Sequence, residues 1–205
     1  MTTLSPEQIR QRIGCLTASR ISDVLAVKKD GKLSAARLDY MKQLVAERMT
    51  DVAAEFYVTG DMQWGIDQED CARQVYEAET GAIVIECGSV PHPRIEHALA
   101  TPDGLVGADG MIEIKCPKTT TYVGWLLNGG VPEQHKAQML WQIACTGRKW
   151  CDFIAFDPRI VKGPKVMIRR FEPKADEIAK IESEAVRFLD EVEALFQQVT
   201  EREYS

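Results

Sequence analysis

The sequence predicts an α/β protein, a mixed central sheet flanked by helices. Three observations carry this. Thr101 to Pro117 (TPDGLVGADGMIEIKCP) reads as a strand, a glycine-rich reversal and a second strand. Pro102-Asp103-Gly104 and Asp109-Gly110 are turn signals, and Met111 to Cys116 is a short apolar run closed by Pro117. Short apolar runs at 82–90, 95–101, 150–156 and 165–171 read as further strands. Around them lie longer stretches whose apolar residues recur at helical spacing.

In order, Ser5-Pro6-Glu7-Gln8 is a helix start, with Ser at the cap, Pro at the first helical position and Gln three residues on. That helix stops near Gly14. A second is expected at once, capped by Thr17 or Ser19, with Ile21, Val24 and Leu25 inward. Arg12 and these hydroxyls form either simple caps or an anion pocket at a helix N-terminus. Lys28 to Lys32 is a basic turn, a contact for an anionic ligand or a solvated loop. Residues 34–50 form a helix with Leu38, Met41, Leu44, Val45 and Arg48 in phase. Asp61 to Thr80 forms another, ended by Gly81, with Ala72, Val75 and Tyr76 as its stripe. Glu69 points along that stripe, so it needs a partner or a metal. Trp64 and Arg73 read as packing and pairing residues, and His92 and His97 as structural or exposed. Thr119 to Gly130 is a short helix and loop. Pro132 to Thr146 is a helix with Leu140, Ile143 and Ala144 inward and His135, Gln138 and Gln142 on another stripe. Arg159, Lys162, Arg169 and Arg170 line a channel or a solvated face. Asp176 to Tyr204 closes the chain as an amphipathic helix (Ile178, Ile181, Ala185, Leu189, Val192, Phe196, Val199) on the sheet or on a neighbouring subunit.

The hairpin carries the chemistry. Side chains alternate along a strand. Glu113 and Lys115 therefore leave one face, while Ile112, Ile114 and Cys116 enter a core from the other. Magnesium prefers hard oxygen ligands and keeps several of its waters, so one or two carboxylates plus a substrate phosphate suffice. Asp103 and Glu113 can supply the carboxylates and the Ile114 backbone carbonyl a third oxygen. Lys115 would then hold or deprotonate a water, or balance charge on a phosphate.

Composition bounds the rest. A chain of 205 residues, 45% hydrophobic, suits one domain with a sizeable core. No apolar run approaches the ~20 residues of a membrane span, and no secretory signal pattern is present. A cytoplasmic protein without membrane contact is expected. The 6 cysteines lack C-x2-C spacing, which argues against a zinc module. A net charge of −6 does not advertise a nucleic-acid binder, although a local basic lining gives the same sum.

Pro102-Asp103 followed by Glu113-Ile114-Lys115 resembles the PD-(D/E)xK nuclease core, whose sheet is of the restriction-endonuclease-like type. The longer string resembles the phage lambda exonuclease / YqaJ viral recombinase family in particular. Gly14-Cys-Leu-Thr-Ala-Ser19, Trp64-Gly65 with Glu69 and Ala72-Arg73, Ala137-Gln138, and Phe156-Asp157-Pro158-Arg159 agree in order, over roughly residues 10 to 160. The resemblance implies a single exonuclease domain over 1–205, with N-terminal helices at 5–50, a nuclease core at about 61–171 and a closing helix at about 174–203. It assigns Arg12 and Ser19, with Thr17 adjacent, to the 5′-phosphate of a DNA end, and places Glu69 and Gln138 at the active site. It implies a Mg2+-dependent (Mn2+ substituting) 5′→3′ exonuclease on double-stranded DNA ends. That enzyme releases 5′-mononucleotides, leaves a 3′ strand for a single-strand annealing protein, forms a homotrimeric ring and works in a bacterial cell of phage or prophage origin. The competing expectations are an endonuclease or junction-cleaving enzyme on the same core, and a non-catalytic DNA-end-binding module.

Overall fold

The computed structural model describes residues 5–26, 33–54 and 57–202; the expected basic turn Lys28 to Lys32 and Tyr204 lie outside them. The first helix, α1 (Pro6–Arg12), opens on a reciprocal cap: Ser5 Oγ accepts from the Gln8 N–H at 3.2 Å, and Gln8 Oε1 accepts from the Ser5 N–H at 2.8 Å. It ends before Gly14, at φ +65°, where a Cβ would meet Arg48 Cγ at 2.5 Å. Only glycine satisfies both constraints.

The second helix does not start at Thr17. The chain first makes β1 (Leu16–Thr17) and one 3-10 turn (Ala18–Arg20), and only then α2 (Ile21–Leu25). Long-range pairing is the reason: the Leu16 N–H donates to His97 O at 2.8 Å, which holds the backbone extended. Ile21 and Val24 are buried, but Leu25 is exposed. The next helix, α3 (Ala35–Thr50), is capped by Ser34 and buries Tyr40, Met41, Leu44 and Val45. Leu38 is exposed; beside it the Arg37 guanidinium is fully buried, donating to Val24 O and to Glu191 Oε2. A long helix, α4 (Gly60–Thr80), stops at Gly81.

The expected strand at 82–90 is two strands in two sheets, β2 (Val84–Ile85) and β3 (Val90–Pro91), followed by a short β4 (Ala98–Ala100). An apolar run cannot reveal that its two ends pair with different neighbours. The hairpin follows as β5 (Gly104–Val106) and β6 (Gly110–Lys115). Then come α5 (Thr119–Asn128), α6 (Glu133–Thr146), β7 (Trp150–Phe156), β8 (Val166–Phe171) and α7 (Ala175–Thr200). One sheet runs β1-β4-β3; the other runs β2-β5-β6-β7-β8 and is mixed, since only β6 and β7 are parallel.

The larger sheet is covered on both faces. Ile112, Ile114, Cys116, Ile154 and Phe156 pack with Ala72 and Tyr76 of α4. Met111, Phe153 and Ala155 pack with Tyr122 and Trp125 of α5 and with Met139 and Ile143 of α6. Apolar side chains therefore enclose β6 and β7 from two sides. The closing helix packs mainly on α3 and α6 through Ile181, Ala185, Phe188, Leu189 and Val192, and its Ile178 also meets the core under the larger sheet.

His92 links this helical layer to the smaller sheet. Its buried ring stacks on Trp141 at 5.3 Å; Nδ1 accepts from the Arg94 and Ile95 N–H groups, both at 3.2 Å, and Nε2 donates to Glu182 at 3.0 Å. Burial holds its pKa below the ordinary 6.5, opposed by Glu182 and assisted by Arg94. The stability this group contributes is therefore present above pH 6.5 and lost as the pH falls below it. In urea unfolding, the gap between wild type and His92→Gln should narrow from pH 7.5 to 5; a constant gap would show that His92 does not titrate on unfolding.

Candidate active site

Three sequence-predicted residues converge at one end of the hairpin. Gly104 pairs with Ile112, so the residue before Gly104 comes level with Glu113. The close approach is built with glycine: a Cβ on Gly104 would lie 2.2 Å from Val84. Asp103 Oδ2 accepts the Ile114 N–H at 2.7 Å. Glu113 is fully buried, and its Oε1 pairs with the Lys115 ammonium. Ile114, between them, turns its side chain into the opposite core.

The electrostatics follow from crowding. Burial first, and then the Glu113 charge, push the Asp103 carboxyl up to about 6; Lys115 and the Ile114 N–H pull against them. Burial alone would favour neutral Lys115, but Glu113 and Asp103 outweigh it and hold the ammonium above its ordinary value. Two carboxylates thus share one cation in a partly dehydrated corner, which leaves one negative charge in excess. That excess and a hard-oxygen donor set fit a divalent cation such as magnesium. Among the described residues no group of three or more His, Cys, Asp or Glu side chains forms a metal cage. The candidate ligands are therefore two carboxylates and a main-chain oxygen.

A glutamine of α6 also reaches Glu113. Gln142 Nε2 donates to Glu113 Oε2 at 2.7 Å, and Gln142 is fully buried. Gln138 lies one turn earlier on α6, half-buried, and Glu113 receives no hydrogen bond from it. Both sit on one helical stripe, and helical spacing does not say which turn faces β6. The available signal was the flanking sequence: Gln142 stands between Trp141 and Ile143, both buried.

Glu69 is buried on α4, which covers the face opposite Glu113. Among its interactions is an ion pair with Arg73 at 3.8 Å. Arg73 also pairs with Asp70 at 3.1 Å and Glu86 at 2.6 Å. Arg12 donates to Thr101 Oγ1 at 3.1 Å, two residues before Asp103, and Thr101 meets Ser89 Oγ at 3.2 Å. The buried Thr17 and exposed Ser19 hydroxyls lie 3.5 Å apart on the neighbouring turn. Arg12 is thus tethered to the strand that leads into Asp103, and its hydrogen bond runs to Thr101 and not to the pair Thr17–Ser19. Of the four basic residues expected on a channel or solvated face, three are engaged within the chain. Arg170 holds Asp152 at 2.9 Å, Arg169 donates to Gly129 O at 2.5 Å, and Arg159 holds Asp157 at 2.7 Å.

Comparisons with known proteins give the chain a family and a fold. Residues 7–149 match the YqaJ-like viral recombinase domain, a span that holds every residue of the converging site. The chain belongs to this family. A search of curated proteins finds no match. Among solved structures, the alkaline exonuclease LHK-Exo from Laribacter hongkongensis is 39% identical over 96% of this chain and 97% of its own, with a TM-score of 0.88. LHK-Exo in complex with dAMP gives 0.89 at the same identity and coverage. A phage related exonuclease from Haemophilus somnus 129PT, 14% identical over 91% of this chain and 96% of its own, has a TM-score of 0.66 and shares the fold. The YqaJ-like span reaches from α1 to the edge of β7, so it takes in the Arg12 region as well as the hairpin.

A folded-state pKa raised above the unfolded value means that the charged Asp103 carboxylate costs stability. That cost is absent below pH 3.8 and present in full above about 6. Asp103→Asn keeps the acceptor for Ile114. In EDTA at pH 8 it should raise the urea midpoint, and the gain should vanish as the pH falls through 6 towards 4. A variant less stable than wild type at pH 8 would show that the crowding is relieved another way.

Proposed function

We propose that this chain, a nuclease by its family and its alkaline-exonuclease relative, digests double-stranded DNA from its ends. The reaction is Mg2+-dependent phosphodiester hydrolysis running 5′→3′. It releases 5′-mononucleotides and leaves 3′ single strands for a single-strand annealing partner in phage-type recombination. The observation that carries the reading is the convergence of Asp103, Glu113 and Lys115 at one corner of β6. The complex of LHK-Exo with dAMP supports a mononucleotide product. No helix among the described residues is long and apolar enough to cross a membrane; a cytoplasmic place of action is part of the proposal.

Asp103, Glu113 and the Ile114 carbonyl would hold the ion; Glu69, which the family resemblance adds to them, lies on α4 across the sheet and would have to reach around the end of β6 to assist. Bound magnesium supplies positive charge for the scissile phosphate and lowers the pKa of its water. Lys115 orients that water and balances charge on the phosphate. Gln142 fixes one oxygen of Glu113, so the other stays turned towards Lys115. Arg12, with Ser19 and Thr17, takes the 5′-phosphate of the DNA end; the Arg12–Thr101 bond sets that anchor two residues from Asp103. A homotrimeric ring around the duplex reconciles an acidic chain with a DNA substrate, and Mn2+ replaces Mg2+.

The reading is tested by digestion of a linear duplex beside a closed circle. The linear DNA should be consumed and the circle spared; equal cutting of both points to an endonuclease. Lys115→Ala should abolish digestion while end binding persists, whereas binding without digestion by the wild type points to a non-catalytic module. The glutamines separate in the same assay. Gln142→Ala should lower kcat about tenfold or more, because Glu113 loses its holder, while Gln138→Ala stays within about threefold of wild type. The reverse order would return the role to Gln138.

A further inference from the structure

A single guanidinium ties the exit of the metal-site strand to α4. β6 leaves the sheet through Cys116 and Pro117, and α5 starts at Thr119. Beside this exit β7 ends and delivers Asp157, which is fully buried. Asp157 Oδ2 accepts from Thr119 Oγ1 at 2.6 Å, and Oδ1 accepts from the Arg159 N–H at 3.0 Å and Nε at 2.7 Å. Burial pushes the Asp157 carboxyl up, but the Arg159 and Thr119 bonds outweigh it and hold the group below the usual carboxylate range. Arg159 Nη2 also donates to Pro117 O at 2.8 Å. Its guanidinium lies 4.5 Å from the ring centroid of Trp64, in the first turns of α4. A second strap runs alongside, Lys118 to Asp61 of α4 at 2.8 Å.

The positions give this tether a purpose. Pro117 lies two residues past Lys115. Trp64 lies five residues before Glu69 on the same helix, about 7.5 Å along its axis. Arg159 therefore bridges the β6 segment that carries Lys115 and the helix that carries Glu69. The carboxyl ends of parallel strands, here β6 and β7, are where open α/β sheets place their ligands. Lysine could not replace this group, since it lacks the planar fork and stacks poorly on an indole.

We propose that Arg159 is a positioning residue of the nuclease centre, holding the exit of β6, and with it Lys115, against the first turns of α4 without touching the DNA. The proposal rests on the nuclease reading. A misplacement of about 1 Å can cost on the order of a hundredfold in rate. The tether should therefore act on turnover and not on end binding.

The test uses the full chain, a linear 5′-phosphorylated duplex and magnesium, with kcat and KM measured separately below each variant's melting temperature. Arg159→Ala should lower kcat about tenfold or more and leave KM within about threefold. Added methylguanidinium should restore part of kcat in that variant. Trp64→Leu should lower kcat in the same way, and Trp64→Phe, which keeps a ring for the cation, should stay near wild type. If Arg159→Ala does not fold, the two Trp64 variants decide. Unchanged kcat in Arg159→Ala, or in Trp64→Leu, overturns the proposal. So does a raised KM at constant kcat with a shallower salt dependence, which would make Arg159 a phosphate contact. A wild type that leaves DNA intact removes the nuclease reading itself, while a digesting wild type with indifferent variants removes the tether alone.

Discussion

Two carboxylates sharing one ammonium form the interaction on which the rest depends. Asp103 and Glu113 are brought level by the hairpin register, and Lys115 alone does not neutralise both. Folding such a group costs stability, and the surrounding structure has to meet that cost. Apolar contacts on both faces of β6 and β7 do so. Met111, Phe153 and Ala155 pack towards α5 and α6, and Ile112, Ile114 and Ile154 towards α4. Fully burying one such side chain is worth about 1.5–3 kcal/mol. The centre is thus held by a rigid, well-packed sheet, which suits a site that must grip a phosphate without rearranging.

The elements around the sheet place the remaining groups. α6 brings Gln142 onto Glu113, and β4 of the smaller sheet ends at Ala100, from which the chain runs through Thr101 into Asp103. The Arg12–Thr101 bond connects α1 to that same segment. On the far side, Trp141 donates to Leu99 O at 3.2 Å and locks α6 to β4. Both the proposed DNA-end anchor and the proposed metal strand are therefore referred to α6 and the smaller sheet. This gives a physical reason why residues far apart in sequence can keep a fixed spacing.

The hairpin was legible because its signals are local: turn residues, alternation and a closing proline all lie within one stretch. The N-terminal cap at Ser5 and the helix ends at Gly14 and Gly81 were legible for the same reason. What pairing decides was not. Leu16 and Thr17 are extended because β4 is there to receive them, and Val84 and Val90 belong to different sheets for reasons outside their own run. Arg37 sits inside a helical layer because Glu191 and Val24 O await it. That Gln142 meets Glu113 depends on the rotation of α6 against β6, which the stripe left open; Gln138 was singled out by the family resemblance alone. Assigning Arg12 and Ser19 to a DNA end needed the family resemblance, because alone they read first as caps.

The most direct measurement is calorimetric titration of Mg2+ or Mn2+ into the metal-free protein, with Asp103→Asn and Glu113→Gln alongside. Saturable binding to wild type, lost in both variants while each stays folded, is the predicted result. Undiminished binding in both variants, or no binding to wild type with or without DNA, would contradict the claim that these carboxylates form a cation site.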